Sequence, residues 1–450
     1  MKVKEIVAAT NGELLSGDSE LEIIGFSQDS RNVREQMMYI PLIGERFDGH
    51  SFIGSAFDNG ASAIISDRII ERDDKVVIKV ADTLKALQDM ARYLRCNRNV
   101  KVIGVTGSVG KTSTRDMIYS VVKQGYKALK TEGNYNNNIG LPLTILRLQD
   151  EEVMVLEMGM NHLKEMEELS LIALPDISVI TNVGTAHIGE LGSRENILIA
   201  KLEIIVGMKD GSTLVINNDN DMLQRVSLDN IEVLKIAIDH DGDFKAENVI
   251  LNDDSSSFEL VYKDKKYLVV VPVPGQHFVL NALLAIAIGT KLDISIDKCI
   301  KGIREFELTK KRMDVIELKN DITLIDGTYN ASEDSMKSSI DVLATYQRRK
   351  IAVLADMLEL GEFSEELHRN VGSHVANKKI DILITVGNDS KYIALAAKEL
   401  GMENICCCKD NEEVINYLRN NLNSNDVVLL KGSNGMKLKD VVAKMKEMFS

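Results

Sequence analysis

Short apolar runs separated by turn-rich stretches open the chain, at residues 21–26, 38–42, 61–66 and 76–80, with a glycine-bearing loop at 44–49 among them. Such runs bounded by Gly, Asp and Ser predict strands, and with the helical pattern over 83–97 they predict a small mixed α/β module. A buried-strand run at 100–106 leads into a glycine loop. Strand-like runs at 152–156, 177–181 and 213–217 then alternate with helical patterns. That alternation predicts a parallel sheet covered by helices on both faces. Between 246 and 272 two short runs of alternating polarity, 258–262 and 267–271, flank a charged turn and predict a hairpin insertion. A helical stretch at 281–288 and the charged residues Lys310, Lys311 and Arg312 precede a second series of buried-strand runs, at 323–326, 351–354, 382–386, 405–408 and 427–431. These predict a second, smaller Rossmann-like α/β domain.

The length of 450 residues fits three domains at about 150 residues each. The patterns place them at 1–97, 98–309 and 310–450. No fixed-period repeat is visible, which excludes solenoids. A hydrophobic fraction of 44% with 27% charged residues belongs to a chain that folds. The net charge of -14 argues against a phosphate backbone as partner, so no nucleic-acid role is expected. The longest apolar stretches, such as 280–288, fall short of the roughly 20 residues of a bilayer span, and residues 1–5 lead into an amphipathic segment without a signal-peptide pattern. The expectation is a soluble, cytoplasmic protein with no membrane insertion. Of the five cysteines, Cys406, Cys407 and Cys408 are consecutive, which suits small apolar residues of a buried strand better than disulfides or spaced zinc ligands.

Candidate chemistry begins at Thr106-Gly107-Ser108-Val109-Gly110-Lys111-Thr112-Ser113, between a strand and a helical pattern. There backbone N–H groups of residues 107–113 can cradle phosphates at a helix N-terminus. Lys111 would neutralise terminal phosphates and the Thr112 hydroxyl could ligate Mg²⁺. Val105 stands where the longer form of this loop has its first glycine. The pattern predicts a nucleoside triphosphate site, which switches, transporters, kinases and ligases share.

Ligands of parallel sheets lie beyond the carboxyl ends of the strands, where Glu157 and the run Asn182-Val183-Gly184-Thr185-Ala186-His187 stand. Glu157 and His187 could hold Mg²⁺; each could equally be structural, as a helix-capping partner or a hydrogen-bonded core imidazole. Lys201, in a mostly apolar helical stretch, is a candidate for desolvation and covalent modification, or for snorkelling beside Glu203. The loop Gly133-Asn134-Tyr135-Asn136-Asn137-Asn138-Ile139-Gly140 concentrates amides suited to sugar or diphosphate oxygens, or simply to a turn.

With these features in order, the sequence resembles the Mur ligase family, the ATP-dependent amide ligases of peptidoglycan precursor synthesis. Further carriers are Asp29-Ser30-Arg31, Gly44-Glu45-Arg46-Phe47-Asp48-Gly49-His50, Leu191-Gly192-Ser193, Gly275-Gln276-His277, Tyr329-Asn330-Ala331, Asp356-Met357-Leu358-Glu359-Leu360-Gly361, His368 and Lys431-Gly432-Ser433. The pattern is nearest the branch that joins D-Ala-D-Ala to UDP-MurNAc-tripeptide.

The resemblance implies roles. Lys111 would hold ATP phosphates; Thr112 and Glu157 would support one of two Mg²⁺ ions and His187 the second; Lys201 would be carbamylated by CO₂ into an oxygen ligand. Asn281, Arg312, Asp326 and Tyr329 would surround the adenosine. Ser30 and Arg31, with Asn134, Asn137 and Asn138, would meet the UDP-linked substrate. The last domain would take the dipeptide, and the chain would act as a monomer. Two readings stay open beside this one: a related ligase adding a different amino acid, although no Asn-Pro-Arg motif is found, and a nucleotide-dependent switch that performs no ligation.

Overall fold

The computed structural model describes residues 1–44, 47–308 and 313–449. Arg312, expected at the adenosine, lies outside them, as do Glu45, Arg46, Lys310 and Lys311.

Three sheets, each with its own helices, make a three-domain α/β fold. The first has five strands in the order Glu13–Ser16, Val76–Lys79, Ala63–Ser66, Met37–Tyr39, Gly25–Ser27. Only its first pair is antiparallel. The helix Thr83–Asn97 follows, opened by Asp82, whose carboxylate accepts from Lys85 N. The apolar run 21–26 yields strand only at Gly25–Ser27, since Ile23 is buried off the sheet edge while Ile24 faces solvent.

The central sheet has nine strands. Ala128–Lys130, Val153–Glu157, Lys101–Thr106, Ile177–Ile180, Thr213–Asn217 and Glu232–Ala237 run parallel. Phe244–Leu251 joins them in parallel, and Ser256–Tyr262 and Lys265–Val271 return as an antiparallel hairpin. The expected insertion is therefore an extension of the sheet, which is parallel over most of its width and antiparallel at one edge. The helix Gln276–Lys291, apolar nearly all round, is buried against that sheet and the helix Lys111–Val122.

The third sheet runs Asp314–Leu318, Ile322–Gly327, Val427–Lys431, Lys350–Ala355, Ile382–Val386, Ile405–Cys408, parallel except for its first pair. Ile405–Cys408 is the outermost strand, so the cysteine run is not fully interior: Cys408 is buried, Cys406 half-buried and Cys407 exposed. An edge strand hides one face only, and alternation puts Cys407 on the other.

Contacts on both sides join the outer domains to the middle sheet. Arg95, at the end of Thr83–Asn97, donates to the carbonyls of Ala173 and Leu174 and pairs with Asp176 at 2.9 Å. On the other side, Asp334 Oδ2 accepts from Thr185 N at 3.1 Å, and Gly184 lies so close that a Cβ there would stand 1.9 Å from that oxygen.

Candidate active site

The strand Lys101–Thr106 is flanked by Val153–Glu157 and Ile177–Ile180, and all three release their chains at one edge of the sheet. Residues 107–110 therefore emerge between Glu157 and the 181–187 segment. Gly110 has φ 84°, which glycine adopts without strain. Gly107 packs so tightly that a Cβ would come within 1.9 Å of Thr181 Oγ1. Asn182 holds the loop from the neighbouring strand end: its carbonyl accepts from Ser108 N at 3.1 Å and its Oδ1 from Val109 N at 2.9 Å. Thr181 Oγ1 donates to Val109 O and Gly184 N to Ser108 Oγ. Lys111 Nζ folds back onto Gly107 O at 2.7 Å.

Glu157 is 2% exposed and fully engaged. Its Oε2 accepts from Thr112 Oγ1 at 2.8 Å and from Arg115 at 3.2 Å, and its Oε1 from Asn136 Nδ2 at 2.9 Å. Helix and amide loop thus converge on one carboxylate. Asn137 Oδ1 caps the turn into the helix Gly140–Ile145 by accepting from Gly140 N, while Asn134 is exposed.

His187 adopts φ 65° at the start of a short helix. Burial and the charges of Lys111 and Lys201 depress its pKa to about 4, so the ring is neutral near pH 7. Its Nδ1 lies 3.7 Å from Glu359, too far for a hydrogen bond, and is buried without a partner. That contact is consequently not an ion pair at neutral pH. Lys201 is 1% exposed, and burial, then the charge of Lys111, push its pKa well down. It does not snorkel: Glu203 instead accepts from the backbone N–H groups of Lys164 and Glu167.

The third domain supplies the opposite wall through Gly327, Tyr329, Asn330, Asp334, Glu359 and Lys431. Between the walls is a cavity of about 670 Å³, also lined by Ser108, Val109, Gly110, Lys111, Ser113, Asn137, Asn138, Glu157, His187 and Asn281. Asn281 Oδ1 accepts from Thr114 at 2.9 Å, whereas its Nδ2 is buried and unpartnered. Asp326 stands behind the wall, its Oδ1 accepting from Thr328 N and Oγ1. Thr112 and Lys201 are buried just behind the surface. Ser30 and Arg31 belong to the first domain and do not line this cavity; Arg31 is exposed and paired with Asp29 at 2.8 Å.

Sequence profiles of three kinds match in chain order: the Mur ligase family, catalytic domain over 22–95, the Mur ligase middle domain over 105–289 and the Mur ligase, glutamate ligase domain over 311–434. The chain belongs to the Mur ligase family. This Mur ligase is 36% identical to the UDP-N-acetylmuramoyl-tripeptide--D-alanyl-D-alanine ligase of Bacillus subtilis, over 98% of this chain and 97% of that one. It is 31% identical to the enzyme of the same name from Escherichia coli, over 99% and 98%. Among solved structures, a crystal structure of MurF from Acinetobacter baumannii superposes with a TM-score of 0.91 at 30% identity, covering 99% of this chain and 98% of that chain. MurF from Thermotoga maritima in complex with ADP superposes at 0.85 and 30% identity, covering 96% and 99%.

Sequence reasoning missed several residues that line or back this Mur ligase's cleft. Asp334 and Arg115 lie on helix faces whose burial no local pattern reveals. Asn136 stands among similar amides in its loop, and no local signal singles it out. Thr181 and Asn182 had a usable signal, their place at the end of a predicted parallel strand.

Proposed function

We infer that this chain joins D-Ala-D-Ala to UDP-MurNAc-tripeptide at the expense of ATP, giving the UDP-MurNAc-pentapeptide of peptidoglycan synthesis. The observation that carries this reading is the single cavity that faces the phosphate loop, Glu157 and His187 on one side with strand ends of the third domain on the other. The relatives' names supply the substrates.

A carboxylate resists an amine because it is anionic and lacks a good leaving group. Transfer of the γ-phosphoryl group to the tripeptide carboxylate gives an acyl phosphate; the dipeptide amine then attacks its carbonyl and phosphate departs. Lys111 and the N–H groups of residues 110–113, at the start of the helix Lys111–Val122, would hold the ATP phosphates, while Ser108 N and Val109 N are bonded to Asn182. Asn281, with its unpartnered Nδ2, and Tyr329 would meet the nucleoside, with Asp326 supporting the wall behind them and Arg312 as a further contact.

Two Mg²⁺ ions fit the residues present. Mg²⁺ draws on one or two carboxylates plus phosphate and water oxygens, so Glu157 and the Thr112 hydroxyl beside the phosphate loop are enough protein ligands for one ion. Thr112 and Glu157 would hold one ion, and His187 with Lys201 the other. When bound, such ions would supply positive charge against the phosphoryl oxygens. Lys201 is suited to carbamylation, since a neutral amine adds CO₂ and releases a proton, leaving a carbamate anion. The unpartnered His187 Nδ1 and its neutral ring suit a ligand.

Residues 1–97 would bind the UDP sugar through Ser30 and Arg31, with Asn134, Asn137 and Asn138 reaching from the central unit; 98–309 would bind ATP; 310–450 would take the dipeptide. Among the described residues no helix is long and apolar enough to cross a membrane. The chain would act as a monomer in the cytoplasm on dissolved nucleotide substrates. The test is phosphate release from ATP with UDP-MurNAc-tripeptide, comparing D-Ala-D-Ala with single amino acids. Release with the dipeptide is expected; release only with a single amino acid would overturn the assignment.

A further inference from the structure

We propose that Arg115 is a positioning residue for the ligation, tying the orientation of the Glu157 carboxylate to the asparagine loop that faces the UDP-linked substrate. This rests on the ligase reading above.

Arg115 lies one turn beyond Thr112 on the helix Lys111–Val122, so both side chains leave the same face and meet the same oxygen, Glu157 Oε2, at 3.2 and 2.8 Å. At 2% exposure the guanidinium is among the largest fully buried side chains of the molecule. Its Nε and second terminal nitrogen clamp Asp116 Oδ1 at 3.0 and 2.7 Å. The remaining nitrogen, the one on Glu157, also reaches the carbonyl of Gly133, where the asparagine loop begins, at 3.5 Å. Lys130, at the end of the strand Ala128–Lys130 that feeds this loop, pairs with Asp116 at 2.8 Å.

Four charges thus sit together behind the cavity, two positive and two negative, and balance one another. A buried guanidinium keeps its charge and its fork geometry, which a lysine reproduces only as a point charge. It therefore fixes where Glu157 points from the side away from the cavity. The loop is bound to the same carboxylate twice, through Arg115 at Gly133 and through Asn136 Nδ2 on Oε1. A displacement of the loop by its substrate is transmitted to the group that faces the ATP phosphates, and the reverse holds as well. Asp116 and Lys130 act only by holding Arg115, and no one of the four needs to touch the reacting atoms except through Glu157.

The experiment compares R115M, R115K and the double variant R115M with D116N, which removes one charge of each sign and leaves Lys130 and Glu157 in balance. Four quantities are measured on the full chain: the KM for UDP-MurNAc-tripeptide, the Mg²⁺ concentration giving half-maximal rate, and the Kd for ADP with Mg²⁺ and in EDTA. In R115M and the double variant, the first two should rise about tenfold and the tightening of ADP by Mg²⁺ should be lost, while the Kd for ADP in EDTA stays within about threefold. R115K should recover part of each loss. If R115M does not fold, the double variant and R115K carry the measurement. The inference is overturned if KM and Mg²⁺ dependence stay within about twofold of wild type, or if the EDTA Kd worsens in step with them, since that pattern belongs to a general loss of structure. Failure of the ligase reading looks different, because the wild-type chain would then release no phosphate with the tripeptide and dipeptide.

Discussion

Lys201 places an amine where water cannot reach it, in the last turn of the helix Arg194–Leu202, and among the described residues no carboxylate pairs with it. Its neighbours in sequence suggested desolvation but could not exclude snorkelling, because periodicity does not say which side of a helix the rest of the molecule covers. The structure decides by engaging Glu203 elsewhere. A base whose folded pKa is depressed destabilises the fold at every pH below its unfolded value, near 10.5, and the penalty fades as pH rises toward that value. Lys201→Met should therefore abolish ligation yet raise the Tm by a few degrees at pH 7 in CO₂-free, nucleotide-free buffer, and the gap should narrow as pH approaches 10. Scanning calorimetry of both chains across that range checks it; a lower Tm for the variant would contradict the unpaired buried amine.

At the scale of elements, the strand–loop–helix unit around residues 101–122 was readable because everything that makes it is local: a buried apolar strand, glycines at the bend and a helix behind. The helix Thr83–Asn97 and the strands Thr213–Asn217, Ile382–Val386 and Val427–Lys431 were legible for the same reason. Glu13–Ser16 and Asp314–Leu318 were not, since each is a half-exposed edge strand held by an antiparallel neighbour rather than by its own apolar content. What local pattern could not supply is why Gly107 must be glycine, because the obstacle is Thr181 on another strand. Gly107→Ala should cost about 1–3 kcal/mol of stability through overpacking. It should also weaken ADP binding by roughly tenfold, about 1.4 kcal/mol. Calorimetric titration alongside a melting curve measures both, and unchanged ADP affinity would show that the loop tolerates displacement from Thr181.

Across the whole molecule, the cavity exists because two sheets present their carboxyl ends to each other, and the contact between Asp334 and the backbone of Gly184 and Thr185 holds them there. A hydrogen bond to a charged group is worth about 1.5–3 kcal/mol. Asp334→Ala should loosen this contact, increasing the radius of gyration seen by solution X-ray scattering and raising the KM for ATP by roughly tenfold, with less effect on the KM for the UDP-linked substrate. An unchanged radius and KM would mean that other contacts suffice. Glu359 beside His187 belongs to the same junction, and neither partner announces the other in sequence.

By itself the sequence determined the order of three α/β units, the glycine loop between strand and helix, the carboxylate and imidazole that follow strand ends, and an amine in a mostly apolar helix. These follow from periods of two and 3.6 and from residue chemistry within a few positions of each other. Tertiary structure alone decided that Lys201 is sealed in rather than wet, that Arg115 shares the carboxylate of Glu157, that the hairpin extends the central sheet, and that Asp334 meets residues 184–185. The physical reason is that burial, charge pairing and steric exclusion are set by groups distant along the chain, and a linear pattern carries the propensity of each segment without the identity of what will press against it.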